Sequence, residues 1–185
     1  MKIKYLFYPL ILIPLLISCG TITNLFSGGP EISIRKDFDG NGIAILNFSK
    51  IGPLPGDAGK LTADKLADAF FLNTRFNVIE RARVNDAQAS MEITNTEFMS
   101  SEQIQKLGQK LKANYLILGR IHFITEEDYF KADDDKKLNI SFRIVSVANQ
   151  EVVGVANYTC KYNDKLVEKI DDMIVLIASK ISDTE

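Results

Sequence analysis

Tryptophan is absent from the 185 residues, histidine occurs once, at His122, and cysteine twice, at Cys19 and Cys160. A single histidine excludes a histidine metal cluster and a histidine pair. Two cysteines permit at most one internal disulfide, so packing has to supply the stability. Neither sign of charge dominates, with acids exceeding bases by two, and that mild balance gives no reason to expect nucleic acid or an anionic surface as a partner. Beyond the first eighteen residues no apolar run is long enough to span a bilayer, and no internal repeat is visible. A phosphate-cradling glycine loop and a nucleophile elbow are also missing.

What is present begins at the amino terminus. Lys2 and Lys4 form a short positive region, and Leu6 to Ile17 an almost wholly apolar run too short to remain as a spanning helix. The run closes on Leu16-Ile17-Ser18-Cys19, which resembles the lipobox of bacterial lipoproteins. In such proteins the signal is removed just before the cysteine, and its thiol and new amino terminus are acylated with chains such as palmitate. Each buried CH2 adds roughly 0.8 kcal/mol, so several chains on one residue hold a membrane where one does not. Cys19 is therefore the expected lipidation site, against an ordinary signal peptide with a chance cysteine or an uncleaved helix. Cleavage removes Lys2 and Lys4 and no acid, so the excess of acid rises to four. Gly20, where some bacteria place an aspartate to retain lipoproteins at the inner membrane, favours the outer membrane by analogy.

The expected organisation is a signal peptide over 1–18, a lipid anchor and tether over 19–41, and one α/β domain over 42–185. The tether holds Ser27-Gly28-Gly29-Pro30 and a short strand near Ile32 to Arg35. About twenty flexible residues span on the order of 25 Å, which keeps the domain near its membrane. Ile43-Ala44-Ile45-Leu46 reads as a doubly buried strand. Leu61, Leu66, Ala69 and Phe70 recur at helical spacing over Asp57 to Asn73, with Asp57 available as a cap. Asn77 to Glu80 is a second strand, which makes a parallel crossover. Arg81 to Met91 is a short helix. Ser100 and Gln103 form a capping box ahead of Ile104, Leu107 and Leu111. Tyr115 to Ile124 is the third and most buried strand, after a second crossover. An antiparallel hairpin over Leu138 to Val147 and Glu151 to Tyr158 follows, and then a helix from Asp164 to Ile181 striped by Leu166, Ile170, Met173, Ile174 and Ile177. The fold class is α/β: a mixed β-sheet with two βαβ crossovers, a C-terminal antiparallel hairpin and a closing helix.

Four segments in this order, Ile43 to Phe48, Phe76 to Arg81, Ala113 to Arg120, and Arg143 to Val147 with Glu151 to Val153, resemble the CsgG and LpoB group of bacterial lipoproteins. The resemblance implies a periplasmic domain that works by binding a protein partner or itself. Its CsgG branch implies a secretion channel whose subunits donate hairpins to a membrane barrel. Membrane strands need about 9 to 11 residues each, and neither the charged stretch from Thr125 to Lys137 nor the turn from Thr159 to Asp164 supplies a hairpin of that length. The LpoB branch implies contact activation of a peptidoglycan synthase, usually from a long linker, and here the tether is short. Glu80 and Arg81 are expected to make a local ion pair or a helix-start contact.

The remaining motifs argue against bond-making. Asp37, Asp39, Asn41 and Gly42 match half of a calcium loop, but the twelfth position is Phe48 rather than glutamate, so a polar turn is expected. His122 falls near a strand end where it reaches solvent. Cys160 has no base or oxyanion donors in pattern and is expected to be a plain thiol. The acids from Glu126 to Asp135 are broken by lysine and read as a solvated loop tip. The expected function is thus non-enzymatic and needs no cofactor or metal. It is that of a lipid-anchored envelope adaptor, with a subunit of an oligomeric assembly complex as the alternative. The sheet edge at the last hairpin and the loop 125–137 are the surfaces expected to meet a partner.

Overall fold

In the computed structural model, which describes residues 29–125, 136–162 and 164–183, the elements run β1 Glu31–Ile34, β2 Ile43–Ile45, β3 Ser49–Ile51, α1 Ala58–Asn73, α2 Arg81–Ser90, α3 Ser101–Leu111, β4 Tyr115–Thr125, β5 Lys136–Ser146, β6 Val152–Lys161 and α4 Leu166–Ser182. The strands form one six-stranded sheet in the order β1-β6-β5-β4-β2, with β3 beside β4. β2 and β3 run parallel to β4, whereas β4, β5, β6 and β1 are antiparallel neighbours. The mixed sheet, the hairpin and the closing helix agree with the sequence reading.

The sheet is buried on two faces because its central strands alternate apolar residues to both sides. One core joins α1 and α4 to Ile43, Ile45, Ile117, Ile121, Leu138, Ile140, Phe142 and Ile144. The opposite core joins α2 and α3 to Ala44, Leu46, Leu116, Leu118 and Val145. Ile170, Met173, Ile174 and Ile177 of α4 are buried as their spacing requires, with Leu166 packed against their edge.

Helix starts show where local chemistry decided the structure. At α3 the Gln103 amide donates to Ser100 Oγ at 3.2 Å while the Ser100 amide donates to Gln103 Oε1 at 2.9 Å, which completes the expected capping box. Asp57 does not cap α1 as expected: its backbone is already helical, at φ −93° and ψ 0°, so its side chain makes no cap bond. The amide of Phe48 instead donates to the Gly59 carbonyl at 3.1 Å, which seats the first turn on the strand end.

Two strands depart from expectation. The strand over Asn77 to Glu80 contracts to one parallel bridge between Val78 and Ile43, because Phe76 plugs in beneath Gly40 and Glu80 already leads into α2. β3 was not legible, since Ser49-Lys50-Ile51 lacks an apolar run. Its separation from β2 comes from side chains: the Asn47 amide donates to Gln88 Oε1 at 3.1 Å, and its carbonyl accepts from Thr96 Oγ1 at 2.8 Å.

Candidate functional site

Among the described residues, those singled out for chemistry lie apart. Among the described residues no group of three or more histidine, cysteine and acidic side chains could hold a metal ion. His122 is half-buried on β4, level with Asn139 of β5 and Ile51 of β3. Cys160 is half-buried on β6 with its Sγ 3.3 Å from Met173 Sδ on α4. Burial, ahead of the opposing pull of Lys169, pushes its thiol up from the ordinary range, so it stays protonated and a poor nucleophile. Cys19 lies outside the described residues, as do residues 126–135 of the charged loop. Its flanks Thr125 and Lys136 end β4 and begin β5.

The half-match to a calcium loop is a polar turn. Asp39 Oδ1 accepts from the Asn41 amide at 3.1 Å and its Oδ2 from Asn41 Nδ2 at 3.2 Å, which holds the carboxyl below its usual range. Phe48, at the position where a calcium loop needs glutamate, is buried in the core instead. Gly40 and Gly42, at φ 68° and 63°, let the turn close against Phe76 and Asn114.

Glu80 and Arg81 do not pair with each other. Arg81 Nε donates to Asp64 Oδ1 of α1 at 2.8 Å, while its Nη atoms donate to the Ile45 carbonyl and Asn47 Oδ1. Three such anchors make this arginine a brace rather than a ligand contact.

The sheet edge beside the last hairpin is covered, because β1 pairs along β6 from Asn157 to Gly154. Two other surfaces are more open. The first is the sheet face above β4, β5 and β6 that α2 and α3 do not reach, a groove of about 430 Å³ lined by Arg120, Ser141, Arg143 and Asn157. Glu97 ties it together, receiving Arg120 Nη1 on its carboxylate at 3.0 Å and Arg143 Nη2 on its carbonyl at 2.9 Å. Deeper in the same face, Asn139 Nδ2 donates to Asn157 Oδ1 at 2.7 Å and Thr159 Oγ1 at 2.8 Å. Antiparallel sheets commonly leave one such polar face to water.

The second is a cleft of about 300 Å³ where β1 exits and α1 ends. Ile34, Phe38 and Phe76 wall it, and Arg35, Lys36 and Arg75 line it. Phe38 stacks edge-on against Phe76 at 5.1 Å and Tyr115 at 4.8 Å between centroids, which fixes the wall. Nearby, Phe71 and Leu72 are 76% and 77% exposed. Sequence reasoning passed over this end of the molecule, although a signal was present. Ala69-Phe70-Phe71-Leu72 is four apolar residues in a row on a helix, and at about 100° per residue they cannot all face one core.

This architecture, a six-stranded mixed sheet between two helix pairs, is shared by solved bacterial proteins. A PelC dodecamer from Paraburkholderia phytofirmans superposes with a TM-score of 0.55 at 14% identity, over 83% of this chain and 96% of that one. The lipoprotein GNA1162 from Neisseria meningitidis does so at 0.50 and 13% identity, over 74% and 94%. The C-terminal domain of LpoB from Salmonella enterica is a more distant likeness, at 0.47 and 9% identity over 69% and 88%. No family model matches the chain, and no curated protein matches it in sequence. Identities this low establish a common fold and leave activity open.

Proposed function

We propose that the chain is a lipid-anchored lipoprotein of the bacterial envelope, held at the outer membrane through acylated Cys19, whose periplasmic domain acts by binding a protein partner rather than by catalysis. The observation that carries this reading is Leu16-Ile17-Ser18-Cys19 behind a positive, then apolar, leader. The fold shared with the lipoprotein GNA1162 supports it. So does the state of the two side chains best suited to catalysis, a Cys160 thiol kept protonated by burial and a His122 set in a strand ladder. Among the described residues no helix is long and apolar enough to cross a membrane.

The Cys19→Ala variant should yield a folded domain that leaves the detergent phase in which the parent protein partitions. Unchanged partitioning would overturn the anchor. Capture of partners from membranes by the lipidated protein then tests the binding role.

A second reading, a subunit of an oligomeric assembly complex, draws on the fold shared with the PelC dodecamer. Light scattering on the detergent-solubilised protein separates the two. A monomer at every concentration would end the second reading.

A further inference from the structure

We propose that the end of the domain where α1 closes and β1 exits is a second membrane contact, which docks on an anionic phospholipid surface. The inference rests on the anchored reading above.

Phe71 and Leu72 are 76% and 77% exposed, and Arg75 follows three residues after Leu72. Arg75 and Lys36 line one cleft with the apolar wall of Ile34, Phe38 and Phe76. Neither cation is taken up by a hydrogen bond or ion pair among the described residues. Arg35, at the same mouth, is by contrast neutralised by Asp37 at 3.2 Å and Glu151 at 3.0 Å. Asp39, the acid that lines the cleft, accepts from Asn41 and keeps its charge, but it pairs with neither Lys36 nor Arg75. The end therefore presents two cations outside any ion pair among the described residues beside two apolar points. This is the pattern that seats a protein in the headgroup region, with phosphate oxygens meeting the cations and apolar side chains entering the acyl boundary.

Area decides between a bilayer and a second protein. A large apolar side chain buries roughly 150 to 250 Å², so two of them supply about half of the 800 Å² per partner typical of a stable protein interface. A bilayer already held close by a covalent anchor needs only a weak contact, because the second encounter is intramolecular. Only eleven residues, Gly20 to Pro30, separate Cys19 from β1. They reach at most about 40 Å. This mouth holds three bases to three acids, against an excess of four acids over the mature chain, so it meets an anionic surface with less repulsion than the rest of the domain.

The absence of tryptophan makes the test direct. Leu72→Trp places a lone reporter at an exposed position, with circular dichroism as the folding control. The lipidated variant is reconstituted in vesicles with brominated acyl chains, of phosphatidylcholine alone or mixed with phosphatidylglycerol. Blue-shifted, quenched emission is expected in the mixed vesicles, falling by about half or more in phosphatidylcholine alone or when Lys36→Glu and Arg75→Glu are added. An unquenched reporter on protein that still floats with the vesicles would overturn the docking contact alone. Protein that fails to float would overturn the anchored reading and the proposal with it. A shift produced by inorganic phosphate without vesicles would mark a soluble-anion cleft, and one that grows with protein concentration would mark a contact between copies. Either would replace the lipid.

Discussion

Arg81 enters α2 at its first position and reaches back to α1 and to the end of β2, with its side chain only 13% exposed. Its planar fork meets a carboxylate, a backbone carbonyl and an amide oxygen at once, which a lysine ammonium on a flexible stem does not reproduce. Removal would leave the Ile45 carbonyl and Asn47 short of a donor, while the 41% exposed Asp64 is rehydrated at little cost. Arg81→Met should therefore destabilise by about 2–4 kcal/mol, read as a lower denaturant midpoint at constant slope. Arg81→Lys should recover less than half of the loss. Stability unchanged in Arg81→Met would show that the brace is idle. The sequence displayed Glu80-Arg81 as neighbours and invited a local pair, but the true partner, Asp64, stands seventeen residues away.

Among the elements, α1 carries the clearest conflict between local preference and tertiary demand. Glycine in a helix is unfavourable by about 1 kcal/mol relative to alanine, yet Gly59 occupies the first turn. A Cβ there would lie 1.9 Å from the Phe48 carbonyl oxygen, whose residue donates its amide back to Gly59. Gly59→Ala should thus lose about 1–3 kcal/mol in urea unfolding, where propensity alone predicts a gain. A more stable variant would refute the close approach of strand to helix. α3 and α4 behaved in the opposite way. Their stripes and the Ser100–Gln103 box were readable because every signal was local and pointed the same way. β3 and the reduced strand at Val78 were unreadable because side chains from α2 and the loop after it decide where the ladder breaks.

At the scale of the whole molecule, both cores hang on the same pair of strands. β4 and β5 stay in register from Tyr115–Ser146 to Thr125–Lys136, with Ile117, Ile121, Ile140 and Ile144 buried to one side and Leu116, Leu118 and Val145 to the other. Amides in the middle of β4 and β5 should accordingly exchange hydrogen only through global unfolding, while β1, four residues long at the sheet edge, opens at lower free energy. Equal protection in β1 and β4 by hydrogen-exchange mass spectrometry would contradict that hierarchy. The net charge shows the same difference of scale. The sum over the chain argued against an anionic partner, whereas the fold gathers Lys36 and Arg75, thirty-nine residues apart, at one mouth.

The sequence by itself determined the positive and apolar run that ends in Leu16-Ile17-Ser18-Cys19, the antiparallel hairpin, the buried stripes of α3 and α4, and the exclusion of histidine-cluster chemistry. These depend on residue type and short-range periodicity. Only the tertiary structure decided that β1 covers the edge left by the last hairpin, that Arg81 braces three segments, and that Phe71, Leu72, Arg75 and Lys36 share one end of the domain. Those outcomes depend on which distant segments the sheet brings within a few ångströms, and pairing across long stretches of chain is specified by the packing of the whole core rather than by any stretch within it.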